Sequence, residues 1–205
     1  MSSTLIIALP LLALYIAFLL WYGGRGKPLS EAELLQFERE LGALGSDAQG
    51  HSASELVRLL AARDDGREFI MHNLVRYRAK ALYPSGHSYG DSARAADKRY
   101  GRAALWPMLR HGSVPVFLAK CSGRFIDGDD APPWDYVAMV RYRSRRDFLR
   151  FAVAIESRDI AIHKWAAIEQ TYITPLKPLA SLFFVRSAVG VVFALIGLGF
   201  MLLRA

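Results

Sequence analysis

Two long apolar runs, one near each end, limit what this chain can fold into more than any other feature. Leu5 to Tyr22 carries no charged residue, and a helix rising about 1.5 Å per residue over it is long enough to cross a hydrocarbon core. Trp21 and Tyr22 mark its interfacial end. No Lys or Arg precedes the run, and Trp-Tyr-Gly-Gly-Arg follows it where a secretory signal would have a small-x-small cleavage site. The pattern predicts an uncleaved anchor. The second run, Ser187 to Leu203, follows Lys177 and Arg186 and is closed by Arg204. It extends upstream through Leu182, Phe183 and Phe184 if Arg186 snorkels to the interface. Gly190, Ala194 and Gly197 form a smooth stripe along it that permits close helix contact. Arg25, Lys27, Lys177 and Arg186 place positive charge on the inner side of both runs. The positive-inside rule then predicts an inner- or plasma-membrane protein with a cytoplasmic middle and both termini on the opposite side.

Composition matters here through its distribution. The formal net charge is +7, and the arginines and lysines concentrate between the apolar ends, which points to membrane lipids as partners and away from nucleic acid. One cysteine, Cys121, excludes an internal disulfide and any multi-cysteine metal site, so no metal is expected. Four segments are expected: an anchor over 1–24, a helical linker over 25–66, a domain over 67–177 and a second span over 178–205.

In the linker, Ser30-Glu31-Ala32-Glu33 is a capping box opening an amphipathic helix to about Leu41. Gly42 to Gly50 is a break. Ser54-Glu55-Leu56 starts a second short helix that stops at the Asp64-Asp65-Gly66 turn. Phe69 to Tyr77 is the strand around which the rest is arranged. Phe69, Met71, Asn73, Val75 and Tyr77 fall on one face, with Ile70, His72, Leu74 and Arg76 on the other. Neither face is cleanly polar, so helices are expected on one side and a cavity or second subunit on the other. A helix from about Ser92 to Arg110, strands Val114–Cys121 and Trp134–Tyr142, a helix capped by Ser144, a helical restart at Ser157 and a strand from Glu169 to Pro175 complete the order. Between the strands, Gly128-Asp129-Asp130-Ala131-Pro132-Pro133 reads as a loop. Strand, helix, strand, strand, helix, strand is the split βαβ plan of an α+β, ferredoxin-like fold.

From Glu68 to Leu176 the chain resembles the dimeric α+β barrel superfamily, near its antibiotic-biosynthesis-monooxygenase-like and unknown-function branches. The resemblance rests on Phe69-Ile-Met-His-Asn-Leu-Val-Arg-Tyr, on Trp134-Asp-Tyr-Val-Ala-Met-Val-Arg-Tyr-Arg-Ser with Asp147-Phe148, and on Ser157 to Ala167 with His163-Lys164. It implies a homodimer closed sheet to sheet, with a pocket between each sheet and its helices. Phe69, Met71, Val116, Leu118, Ala138 and Val140 are expected on the sheet face that the second copy covers. Pocket candidates are Phe69, Met71, Asn73, Tyr77, Trp134, Tyr142, His163 and Trp165.

The haem-degrading branch of that superfamily uses an Asn, a Trp and a His, matched here by Asn73, Tyr142 and His163, with Tyr142 departing from the Trp. Haem is therefore a candidate cofactor, with a neutral imidazole as its ligand. A cofactor-free oxygenase would instead use Asn73, Tyr77, Tyr142 and Arg141 to stabilise a developing anion. His72, Arg76 and Asp135 are expected as a second polar cluster. Arg141, Arg143, Arg145, Arg146 and Arg150 form a basic run that is a candidate surface for anionic lipid headgroups. Phe69-Ile-Met-His-Asn-Leu also resembles an RNA-recognition motif, but the paired aromatic motif is missing from Trp134–Tyr142, so no nucleic acid is expected. No phosphate loop, nucleophile elbow or zinc spacing is present. The reading is a membrane-anchored binding or accessory module, with a subunit of a membrane complex as one form of it; the alternative is a haem-dependent or cofactor-free monooxygenase acting on a membrane-proximal substrate.

Overall fold

Four serines start four of the helices. In the computed structural model, Ser30, Ser52, Ser92 and Ser144 each accept a hydrogen bond from the backbone N–H three residues on, satisfying a donor that the first helical turn would leave open. The structure describes residues 3–23, 26–44, 50–87, 89–126, 128, 131–179 and 185–203. Arg25, Asp129, Asp130, Leu182, Phe183, Phe184, Arg204 and part of the Gly42–Gly50 break lie outside these. The chain divides into two units, one of Met1–Arg25 with Pro178–Ala205 and one of Gly26–Lys177.

The first unit is a pair of helices, α1 (Ser3–Gly23) and α7 (Val185–Leu202), both long and apolar enough to cross a membrane. They run antiparallel. The Tyr15 hydroxyl donates to the Arg186 carbonyl at 3.0 Å, Tyr15 packs edge-on against Phe193, and the Arg186 guanidinium lies over Tyr22. A Cβ at Gly190 would fall 2.9 Å from the Tyr15 hydroxyl and one at Gly197 3.2 Å from Leu11. Two members of the small-residue stripe thus give α1 its close approach.

The second unit is α+β. Its sheet contains β1 (Phe69–Tyr77), β2 (Val114–Lys120), β3 (Tyr136–Tyr142) and β4 (Ile168–Leu176), all antiparallel in the order β2-β3-β1-β4. With α4 (Ala93–Arg110) after β1, and α5 (Arg145–Glu156) and α6 (Ala161–Ala167) after β3, this is the ferredoxin-like connectivity. Trp134 falls short of β3. The expected restart at Ser157 does not occur; α5 ends there, with Asp159 at φ +52° and the Ile160 N–H returning to the Ile155 carbonyl at 2.9 Å. That closure satisfies end carbonyls and breaks the helix before α6.

Register decides which face is which. Phe69, Met71 and Val75 join the helix-side cores, and their cross-strand partners Tyr142, Val140 and Tyr136 share that side. The face free of helices instead carries Ile70, His72 and Leu74 with Met139, Val137 and Tyr172. Phe69, Met71, Ala138 and Val140, expected on the open face, are therefore on the covered one. Alternation defines two faces but not which of them the helices choose.

The segment expected as a linker is part of the packed unit. α2 (Glu31–Ala43) and α3 (Ala53–Ala61) insert Leu34, Phe37, Leu41, Val57 and Leu60 into the same core as Leu149 and Phe151 of α5. α3 is capped by Ser52, two residues before the expected start, because Ser52 and Glu55 have the cap spacing. The basic run supplies the attachment. Arg146 bonds Glu33 at 2.6 and 3.0 Å and the carbonyls of Lys27 and Pro28. Arg145 reaches Asp64 at 3.5 Å; Arg141, 1% exposed, pairs with Glu68; Arg143 grips Asp147 with two nitrogens. Only Arg150 keeps an exposed head, so these five arginines do not form a free lipid-facing surface. Near this junction Gly66 has φ +70°, and a Cβ there would meet the Lys27 backbone at 2.4 Å, leaving room for no side chain.

The guanidinium of Arg146, then the N–H of Ser30, hold the Glu33 carboxyl down to about 2, against its partial desolvation. A lowered carboxyl contributes stability that is full above its ordinary value of 4.5 and fades as pH falls from there towards 2. Thermal midpoints of the detergent-solubilised chain should drop between about pH 5 and pH 3, and drop less in Glu33→Gln. Equal pH dependence in the two proteins would remove the clamp from the account.

Candidate functional site

Between the sheet and its helices lies a cavity of about 410 Å³. Its floor is Met71, Asn73, Ala138, Val140 and Ile173 of the sheet; α3 closes one side with Leu56, Val57 and Leu60; α5 closes another with Phe148, Phe151 and Ala152. An apolar enclosure of this size with a few polar groups is the usual form of a small-molecule site.

The polar groups come from α4, α5, α6 and β3. Asp97 of α4 accepts from the Tyr77 hydroxyl at 2.8 Å and the Tyr136 hydroxyl at 3.2 Å. Both phenols are pushed up, first by burial and then by the Asp97 charge. Lys164 of α6 lines the cavity, with Nζ 4.7 Å from the Trp165 ring and 5.9 Å from the Tyr100 ring. Desolvation pushes its amine down to about 8, opposed by the attraction of Asp97 and Glu156. Burial also holds the Glu156 carboxyl above the usual range, partly offset by Lys164. Desolvation thus moves the two groups in opposite directions, the amine down and the carboxyl up.

Of the residues expected in a pocket, Met71, Asn73, Tyr142 and Trp165 line this cavity. Asn73 donates from Nδ2 to the Met71 carbonyl at 3.1 Å and the Ala138 carbonyl at 3.4 Å. Tyr142 is buried in an aromatic group with Phe69 and Phe148, and burial raises its phenol far above the ordinary value. Phe69 stands behind it, and Tyr77 reaches the site only through Asp97. Trp134 packs at a tilt against Tyr172, a residue of the open face, with ring centroids 5.1 Å apart. Arg141 is held by Glu68. Arg76 pairs with Glu169 and Asp135 with Arg94, so the expected cluster with His72 is not assembled.

His163 is on the other side of α6. Its Nδ1 lies 2.9 Å from the Tyr83 hydroxyl, and Tyr89 packs on its ring. Burial, then Arg99 and His87, lower its pKa. No histidine lines the cavity, so Asn73, Tyr142 and His163 do not converge and the residues do not fit a haem. Helical spacing accounts for this. Ala161, Lys164, Trp165 and Ile168, at i, i+3, i+4 and i+7, face the cavity, which leaves His163 off the stripe. The same spacing carries Asp97, Tyr100 and Met108 inward from α4. Lys164, Asp97 and Glu156 were within reach of that argument; what hid them is that charged residues are ordinarily assigned to the solvent side.

Fold and cavity together define a ferredoxin-like α+β module with an apolar pocket between its sheet and helices. Two crystal structures of the RPA0582 protein are similar to this chain. The methylated form has 29% identity and a TM-score of 0.55, covering 62% of this chain and 93% of that one. The other, a protein of unknown function from Rhodopseudomonas palustris, has 28% identity and a TM-score of 0.54, covering 62% and 94%. A dabb family protein with a ferredoxin-like fold from Mesorhizobium loti has 11% identity and a TM-score of 0.36 over 56% of this chain and 99% of that one, a likeness too slight to bear on function. No family model and no curated protein matches the chain.

Proposed function

We propose that this protein is a membrane-anchored binding module that takes up an apolar small molecule in the sheet–helix cavity. The observation that carries the reading is the cavity itself, about 410 Å³ and walled chiefly by apolar side chains. In this reading α1 and α7 both span the membrane, Gly26–Lys177 faces the cytoplasm, and the ligand reaches the cavity from the adjoining bilayer. The antiparallel packing of α1 and α7 supports it, since two antiparallel spans return both termini to one side. Reporter fusions after Gly50 and at the C-terminus should report opposite sides of the membrane; matching sides would show that one helix does not cross.

The module works as a homodimer of the barrel type, with the open sheet face as its interface. Ile70, Leu74, Val137 and Met139 form an apolar stretch there, and Phe117, Tyr172 and Leu176 stand exposed. Monomers rarely leave such a patch uncovered. In mild detergent the chain should scatter light as a dimer and Met139→Arg as a monomer; a monomeric parent protein would defeat this part of the proposal.

Trp165 provides the test of the cavity. Bromododecanol should quench a component of tryptophan emission that saturates at one ligand per chain and is missing in Trp165→Phe. Quenching that never saturates, or that survives the substitution, would count against a binding pocket. A cofactor-free oxygenase is the second reading, favoured by Tyr136, Asp97, Lys164 and Asn73 converging on an enclosed apolar space, where preorganised polar groups can stabilise charge.

A further inference from the structure

Lysine is seldom placed in an apolar cavity, because burying an ammonium is expensive unless it is paired. The chain shows both ordinary solutions elsewhere. Lys177 pairs with Asp65 at 2.7 Å, and Lys80 leaves its side chain 79% exposed. Lys164 adopts neither. Lys164 lines the cavity, with its Nζ over the Tyr100 and Trp165 rings, which line it too. No carboxylate among the described residues lies within ion-pair distance, and Asp97 and Glu156 act on it only from further away. Lys164 is thus an ion-unpaired amine in the wall of a volume whose other walls offer a ligand mostly hydrocarbon and aromatic surface.

We infer that Lys164 captures the carbonyl group of an apolar aldehyde or ketone, forming an imine with a ligand bound in the cavity. The inference rests on the cavity being a binding pocket and adds the chemical class of the ligand. A lysine amine desolvated in a hydrophobic pocket has a larger neutral fraction than an exposed one, and the neutral amine is the state that attacks a carbonyl. The amine nitrogen adds to the carbonyl carbon, the carbonyl electron pair passes to oxygen, and that oxygen takes up a proton. The carbinolamine then expels the oxygen as water while the nitrogen lone pair closes the carbon–nitrogen double bond. One amine and one carbonyl give one imine and one water, and the step needs no oxidant or reductant. The departing oxygen needs a proton donor. Glu156 of α5 also lines the cavity, and burial holds its carboxyl above the usual range, which suits it to donate that proton. Asp97 accepts from two tyrosine hydroxyls and acts on the amine from further away.

The full chain in detergent, treated with dodecanal and cyanoborohydride and mapped by peptide mass, tests this directly. Lys164 should be alkylated about tenfold faster than Lys80 or Lys177, with bromododecanol slowing only Lys164. Glu156→Gln should slow capture at Lys164 without altering the exposed lysines. Lys164→Arg, checked for folding by circular dichroism, should lose the fast site. Capture at Lys164 no faster than at Lys80 overturns the inference. If bromododecanol still gives saturable Trp165 quenching in that case, the pocket stands and only the imine falls; if it gives none, the pocket reading falls as well.

Discussion

The ion pair between Arg146 and Glu33 is the interaction on which the cavity depends. α2 and α3 precede the sheet domain in sequence, and their apolar stripes hold them to its core without by themselves specifying one placement. Arg146 crosses from α5 to Glu33 and to two backbone carbonyls ahead of α2, and Asp64 accepts from the Leu29 N–H at 2.7 Å while receiving Arg145. Such buried pairs add little net stability when desolvation is counted, yet removing one partner strands the other charge. Their effect is to fix one position for the lid helices. With α3 in that position Leu56, Val57 and Leu60 wall the cavity; without it the same volume would be an open groove.

The enclosure in turn explains the basicity of the groups inside it. In water Lys164 would hold its proton, and Glu156 would lose one. In a dry wall of aromatic rings neither charge is well solvated, so the amine is lowered and the carboxyl raised. Asp97 is held in place by two tyrosine hydroxyl donors. The site's chemistry thus follows from packing more than from any short sequence motif, which fits the lack of a matching family model.

Much of the architecture was legible in the residues. Capping serines, the two apolar runs and the alternation in Phe69–Tyr77 led to the helix starts, the two long apolar helices and β1, and the element order led to the antiparallel sheet. Each of these depends on local spacing, which the chain carries in itself. The reading went astray where one local pattern admits two tertiary outcomes. Phe69 and Met71 could face helices or a second copy. Arg141, Arg143, Arg145 and Arg146 could meet lipid or carboxylates, and their acidic partners lie up to 113 positions away.

His163 and Lys164 show the division most sharply. They are adjacent, and sequence alone made the histidine the more plausible ligand-binding residue on chemical grounds. The apolar spacing of Ala161, Trp165 and Ile168 already fixed which of the two shares their helix face. What the spacing could not supply was that this face would meet a void, or that Asp97 and Glu156 from two other helices would lie near the amine. Side-chain direction is set by local backbone geometry and so is written in the sequence, whereas the dielectric around a charge is set by everything packed within a few ångströms of it, which only the assembled tertiary structure decides.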